Sequence, residues 1–287
     1  MMHISKGIIY MFGATLCFSI LSAIVKFMDH IPPNELMLFR TIISIIITLL
    51  QMRLLKISPW GNQKKVLLLR GIFGSIALIT FFISVQKMPL ATTAILSYTT
   101  PIFTTIIGIL FLGEKVLTIQ WACFLLSFLG IFIIKGLDET IAPYYFLLGI
   151  ISAISSAIVY NLISKVRDKD HPLVIVFYFP LVGLPIMAIW TYFNWVFPHG
   201  MDWFWIIAIG LLTQLGQILM TKSLQIESLS RASSIQFLGI ISSLLIGLFI
   251  FNETINFTTI FGILLVASGV LGNIFFSSEK KSHELAN

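Results

Sequence analysis

The chain contains the same sequence layout twice, and the two copies are separated by 139 positions throughout. A shift by that offset, without a gap, superimposes residues of the types that shape loops and helix ends. The matched pairs are Lys26 with Lys165, Asp29 with Asp168, Pro33 with Pro172, Pro59 with Pro198, Gly61 with Gly200, Gly71 with Gly210, Gln86 with Gln225, Gly108 with Gly247, Glu114 with Glu253 and Gly130 with Gly269. Matches between apolar residues would carry little information, because chance supplies many of them in a chain so rich in apolar residues. Matches of proline, glycine and polar residues at one fixed offset are informative. The fold must therefore combine two related halves in tandem.

Both copies consist largely of apolar runs about 20 residues long, which is the length of a helix that crosses a bilayer. The chain is 57% hydrophobic and 10% charged, whereas soluble domains carry roughly 25% charged residues. The runs are continuous rather than alternating, which favours helices over a barrel. We predict an all-α integral membrane protein, and the net charge of +6 requires no nucleic-acid partner.

Ten transmembrane helices are predicted, five in each half. They are expected at 7–28, 35–52, 66–86, 91–112, 116–134, 145–164, 173–195, 203–222, 230–251 and 257–276. We expect the first repeat to occupy residues 1–139 and the second 140–278, with a short cytoplasmic tail at 279–287. The first apolar run is too long for a cleaved signal peptide and is read as a mature helix.

Basic residues predict the orientation, because lysine and arginine in short loops stay on the cytoplasmic side. With the N-terminus inside, thirteen of them fall inside and three outside. Both termini are therefore predicted to be cytoplasmic. Since five is an odd number, the two halves enter the bilayer in opposite directions. Such inverted repeats are typical of carriers that work by alternating access around a site near the midplane.

Two stretches of the chain resemble a known family. They are LRGIFGSIALITFFISVQKMPLATTAILSYTTPIFTTIIGILFLGEKV and the second copy ending in IFNETINFTTIFGILLVASGV, which look like the paired EamA domains of the drug/metabolite transporter superfamily. The resemblance covers nearly the whole chain and implies a ten-helix carrier with a central cavity lined mainly by helices one to four and six to nine. It does not specify a substrate, because relatives move amino acids, nucleotide-derived metabolites, choline, vitamins and drugs. The second copy departs at Asn252, where the first has Gly113.

The same resemblance implies that helices five and ten are peripheral and available for a homodimer contact. Ser268 and Gly272 in span ten form a small-xxx-small pair, a spacing that permits close helix approach. The pair fits either a homodimer contact or packing within the monomer.

Amide side chains inside the spans are candidates for substrate binding. They are Asn161 in span six, Gln214 and Gln217 on one face of span eight, and Gln236 in span nine. Interhelical hydrogen bonds are the alternative explanation, but these average only about 0.6 kcal/mol in membranes. We predict that the amides line the cavity, with Gln214 and Gln217 as the first candidates.

Aromatic side chains form a second group of candidates. Tyr98 precedes Pro101 in span four, where a proline opens the helix and frees backbone carbonyls. Tyr160, Tyr178 and Trp190 add rings in the second half. Aromatic rings can hold an ammonium or sulfonium group without a carboxylate. Tyr98 and Trp190 are therefore included in the predicted substrate-binding set.

Two arginines lie within the predicted spans. Arg40 lies about 9 Å into span two, counted at 1.5 Å per residue. It is expected either to snorkel to the interface or to bind a substrate carboxylate in bidentate geometry. Arg70 begins a span beside a basic loop, so we expect an interfacial anchor.

Matched charges lie at span ends. Glu114 and Glu253 begin the fifth and tenth helices, where a carboxylate stabilises a helix N-terminus by about 0.3–1 kcal/mol. A gate at each membrane face is the alternative role. Lys26 and Lys165 are expected to pair with the aspartates three positions on, with gating again as the alternative.

No acidic residue is predicted near the bilayer centre, which favours facilitated transport or exchange over proton coupling through a buried carboxylate. The five histidines lie outside the spans, and HExxH, GxSxG and P-loop motifs are absent from the sequence, so an enzyme is not expected. Neither Cys17 nor Cys123 has the spacing of metal ligands, so neither a metal nor a cofactor is predicted.

These observations predict a secondary carrier of a small organic metabolite in the inner (cytoplasmic) membrane. The first substrate class is an amino acid or an amino-acid-derived solute, because Arg40 and amides suit a carboxylate and an amine. The alternative within the family is uptake or exchange of a nucleoside-containing cation similar to S-adenosylmethionine. The alternative from another class is a membrane-embedded enzyme or a lipid flippase component.

Overall fold

The computed structural model describes residues 5–97, 99–112, 118–137, 142–227, 232, 236, 238–253 and 257–286. These residues contain helices and connections, with no strand among them. Seven stretches are long and apolar enough to cross a membrane, and three shorter apolar helices lie at Thr118–Ile133, Ile241–Ile250 and Ile260–Gly272. The prediction of an all-α membrane protein with ten spans is confirmed.

The helices follow the predicted spans closely. They are α1 (Lys6–Phe27), α2 (Pro33–Leu54), α3 (Lys64–Lys87), α4 (Leu90–Ser97), α5 (Thr100–Leu112), α6 (Thr118–Leu137), α7 (Pro143–Val166), α8 (Pro172–Phe193), α9 (Asp202–Ile226), α10 (Leu238–Ile250) and α11 (Phe257–Ala286). The predicted fourth span comprises α4 and α5, and Pro101 lies in the first turn of α5, where its missing N–H costs no helical hydrogen bond. Residues 279–286 continue α11.

Tertiary hydrogen bonds recur at the same offset as the sequence. Gln86 of α3 donates to the carbonyl of Met28 at 3.1 Å, and Gln225 of α9 donates to the carbonyl of Arg167 at 3.0 Å. Both the donors and the acceptors are 139 positions apart. The helix contacts also repeat. Helices α7 and α9 are the equivalents of α1 and α3, and α1 packs on α9 as α7 packs on α3. The two halves are thus related by an inverted repeat.

Helices α6 and α11 pack against each other, and glycines allow the close approach. A Cβ atom on Gly130 would lie 2.7 Å from the carbonyl oxygen of Gly262, and one on Gly269 would lie 2.5 Å from that of Cys123. A Cβ on Gly272 would lie 2.9 Å from the Cys123 sulfur. These glycines therefore serve packing within the chain, and a homodimer through helices five and ten remains a prediction.

Helices α2 and α8 meet near the axis that relates the halves. Arg40 and Phe179 are 139 positions apart, and the guanidinium carbon lies 4.5 Å from the ring centroid. Equivalent residues touch only close to a twofold axis. For inverted repeats this axis lies in the membrane plane. Arg40 and Phe179 therefore lie near the mid-depth of the membrane.

Candidate substrate-binding site

A cavity lies between the two halves, with walls from α1, α3, α4, α5 and α7 to α10. Its volume is about 170 Å³. Hydroxyl groups are frequent on its walls. They belong to Thr15, Ser19, Ser22, Thr93, Ser97, Thr100, Ser152, Ser156, Tyr160 and Ser243. Within the part of the chain that the structure describes, the lining includes no acidic side chain.

Arg70 places a positive charge on the cavity wall. Its side chain is buried, and Nη2 donates to Oε1 of Gln217 at 3.0 Å. Its Nε and Nη1 atoms have no hydrogen-bond partner among the described residues. The expected interfacial anchor is wrong, because the guanidinium group is directed into the protein and lies 5.1 Å from the Phe179 ring. Arg70 thus keeps hydrogen-bonding capacity for a ligand.

Arg40 contacts the same ring from α2. The residue is 1% exposed, which rules out the expected alternative of snorkelling to the interface. None of its three guanidinium nitrogens has a hydrogen-bond partner among the described residues, and neither does Oγ of Ser44, one turn further on. Among those residues, no carboxylate forms an ion pair with either arginine.

The two guanidinium groups carry an energetic cost in this arrangement. Burying an ion away from water costs several kcal/mol unless it is paired. A cation–π contact returns about 2 kcal/mol when desolvated, and here one ring, Phe179, serves both cations. An anionic ligand would supply the missing partner, because carboxylates accept two parallel hydrogen bonds from a guanidinium group.

Two of the predicted glutamines lie on the cavity wall. Gln217 orients Arg70, and Gln236 donates to the Tyr160 hydroxyl at 2.8 Å. Gln214 is buried beside the cavity rather than on its wall. It donates to Thr48 at 2.8 Å, while its Oε1 has no partner among the described residues.

The other predicted binding residues lie elsewhere. Asn161 donates to the carbonyls of Ala157 and Thr104, so it forms the interhelical bond that was the alternative explanation. Trp190 is 38% exposed on the protein surface. Neither side chain is among the residues that line this cavity, and their role in substrate binding stays a prediction. Tyr98 lies outside the described residues.

An ion pair between the halves lies next to the cavity wall. Nζ of Lys26 lies 2.7 Å from the Glu253 carboxylate and donates to the Met88 carbonyl at 2.8 Å. The same carboxylate accepts the N–H of Leu90, a cavity-wall residue, at 2.9 Å. The expected pairing of Lys26 with Asp29 is therefore wrong. The gate role of Glu253 stays a prediction, and Glu114 lies outside the described residues.

A sequence signal for Arg70 was present in α3. Gly74, Ala77 and Phe81 follow Arg70 at helical spacing, and all four residues line the cavity. Small residues on the same helix face as an arginine leave room for a ligand, whereas an interfacial anchor needs no such room. The sequence signal for Phe179 was its position in the repeat. It lies 139 positions after Arg40, so the two residues are equivalent in the two halves.

Comparisons with known proteins agree with this architecture. Residues 5–136 and 143–275 each match the EamA-like transporter family. The chain is 28% identical to the pseudopaline exporter CntI of Pseudomonas aeruginosa, over 97% of this chain and 98% of that protein. It is 25% identical to human solute carrier family 35 member G1, over 93% of this chain and 78% of that one.

Two further similarities extend the comparison. An S-adenosylmethionine uptake transporter of Rickettsia felis is 24% identical, over 75% of this chain and 72% of the relative. One crystal structure aligns with a TM-score of 0.68 at 16% identity. The alignment covers 94% of this chain and 96% of the chain in that crystal structure. At that identity the alignment bears on the fold alone.

Proposed function

Because this chain belongs to the EamA-like transporter family, we propose that it is a secondary carrier of a small amino-acid-derived metabolite that bears a carboxylate. The chain is a multi-pass membrane protein and a small-molecule transporter. The inverted repeat supports alternating access, because either half can adopt the conformation of the other while the site between them stays in place. The cytoplasmic membrane is the compartment proposed for it.

The observation that carries the substrate class is the unpaired guanidinium group of Arg70 at the cavity wall. A carboxylate bound there would accept a hydrogen bond from Nε or from Nη1, the two nitrogens without partners among the described residues, while Gln217 holds Nη2 in place. The hydroxyl-rich wall supplies acceptors for an amine. A zwitterionic amino-acid group fits this combination of a cation and neutral acceptors.

The second candidate is a nucleoside-containing solute similar to S-adenosylmethionine, which also bears an amino-acid carboxylate. Phe18, Phe81, Tyr160 and Phe179 on the cavity wall favour it, because aromatic rings stack on a purine and hold a sulfonium group. The positive charge of Arg70 opposes a solute with net positive charge. The named relatives differ in both solute and direction, since one is an exporter and another an uptake transporter.

Thermal unfolding of the purified chain in mild detergent tests the proposal. The panel contains amino acids, their carboxamides, S-adenosylmethionine, choline and a phospholipid. A ligand at 100 times its dissociation constant adds about 2.7 kcal/mol to the free energy of unfolding. We expect stabilisation by carboxylate-bearing ligands and none by the matched carboxamides.

Arg70→Gln should abolish this stabilisation, whereas Arg53→Gln, at the exposed end of α2, should preserve it. Equal stabilisation by acids and carboxamides would contradict the role of Arg70. Stabilisation by phospholipid alone would replace the carrier of a metabolite with a lipid flippase.

A further inference from the structure

Arg40 lies one layer deeper than the cavity wall. Phe179 lines the cavity, and Arg40 contacts the ring of Phe179 without itself being part of the lining. Arg70 contacts the same ring from the cavity side. The two guanidinium carbons, at 4.5 and 5.1 Å from one ring centroid, are no further apart than the sum of those distances. A solute with two acidic groups a few bonds apart is therefore long enough to reach both.

The polar surroundings of Arg40 are also incomplete. All three of its guanidinium nitrogens and Oγ of Ser44 lack partners among the described residues, although each of these atoms is fully buried. One carboxylate bound at Arg70 would leave this second cation unpaired. Neither arginine forms an ion pair with a described acidic residue, so the protein does not supply the missing negative charges in that part of the chain.

From these observations we propose that Arg40 is a second acidic-group subsite and that the transported solute carries two carboxylates. The inference rests on the proposed function and names its substrate more closely. One carboxylate binds Arg70 at the cavity wall, and the other binds Arg40 after the Phe179 ring turns aside. Ser44 donates its hydroxyl to the second carboxylate.

The Phe179 ring packs directly against Gly74. A Cβ on Gly74 would lie 2.9 Å from Cδ2 of the ring, so the ring fills the space that the missing side chain leaves. The position of Arg40 near the axis between the halves gives the subsite a further property. It remains near the mid-depth of the membrane whichever end of the cavity is open.

The test compares binding of L-glutamate with L-glutamine, and of glutarate with its half-amide, to the full-length chain by calorimetry in detergent. Within each pair an amide replaces one carboxylate at nearly constant size. We expect the wild type to bind each diacid about tenfold more tightly than its amide, a difference of about 1.4 kcal/mol. Arg40→Gln should remove this preference while leaving the affinity for glutamine within about twofold.

Three controls keep the result interpretable. Arg40→Lys retains the charge without the planar fork and should retain part of the preference for the diacid. Arg70→Gln should weaken glutamate and glutamine alike. Replacement of chloride by methanesulfonate, which bears no carboxylate, should change neither ratio. If the preference for the diacid were present only in the chloride buffer, Arg40 would be a site for an inorganic anion. That result would overturn the proposal.

The remaining outcomes separate this inference from the proposed function. Equal binding of glutamate and glutamine, or an equal loss of both in Arg40→Gln, would overturn the second subsite while the amino-acid carrier stands. Binding of glutarate alone, dependent on Arg40, would support the subsite and overturn the amino-acid class. Failure of all four compounds to bind the folded wild type would overturn both.

Discussion

Replacing Glu253 with glutamine should weaken the ion pair with Lys26 next to the cavity wall and favour an open form of the cavity. The carboxylate lies 2.7 Å from Nζ of Lys26 and accepts the N–H of Leu90 at 2.9 Å. Hydrogen bonds to charged groups contribute about 1.5–3 kcal/mol. The side chains of the pair are 17% and 10% exposed, so solvent screens the charges only in part. Since glutamine keeps an oxygen for Leu90, we expect the low end of that range to be lost.

A loss of about 1.4 kcal/mol corresponds to a tenfold shift in the equilibrium between the closed and the open form. The assay uses a chain without its native cysteines and with Ser22→Cys on the cavity wall. A membrane-impermeant maleimide is added on the side of Lys26. The labelling rate should rise about tenfold in Glu253→Gln, because the rate follows the population of the open form.

The control variant breaks an exposed ion pair whose residues do not line the cavity. Arg167 and Asp168 are 3.2 Å apart, and their side chains are 46% and 82% exposed. Such surface pairs contribute about 0–1 kcal/mol, so Asp168→Asn should leave the labelling rate unchanged. The explanation by an ion pair would be refuted if Glu253→Gln accelerated labelling equally in the wild type and in a Lys26→Met background.

Three further predictions follow from the packing and the repeat. Gly269→Ala should cost about 1–3 kcal/mol of stability through overpacking. Gly13→Ala should be tolerated, because its Cβ would meet only the mobile end of Leu219 at 3.1 Å. Equal melting temperatures of the two variants would contradict this expectation. Gln86→Leu and Gln225→Leu should each cost about 1–3 kcal/mol, and a large effect in only one of them would contradict equivalence of the halves. A fluorescent protein that matures only in the cytoplasm should fluoresce when fused to the C-terminus, and a dark fusion would reverse the predicted orientation.

Much of the architecture was predictable from the sequence, because a bilayer imposes strict rules on it. Helices must be about 20 residues long to cross it, and polar groups of the backbone must be paired within each span. The offset of 139 positions between Gln86 and Gln225 then relates the halves, and the hydrogen bonds of these residues keep that relation in the structure.

The site was only partly predictable. Gln217 and Gln236 were expected on the cavity wall and lie there, whereas Trp190 faces outward and Arg70 inward. In a soluble helix the apolar face indicates the core. In a membrane, lipid is as apolar as the protein interior, so the sequence of a span does not show which of its faces points to the cavity.

The sequence by itself determined that the chain forms ten spans in two inverted halves, because length and spacing along the chain set those properties. Tertiary structure alone decided which side chains meet. Lys26 pairs with Glu253 of the other half rather than with Asp29, and Arg40 and Arg70 converge on Phe179 from two different helices. The physical reason is that the rotation of each helix about its own axis depends on packing against its neighbours, and this rotation determines the cavity and its charge.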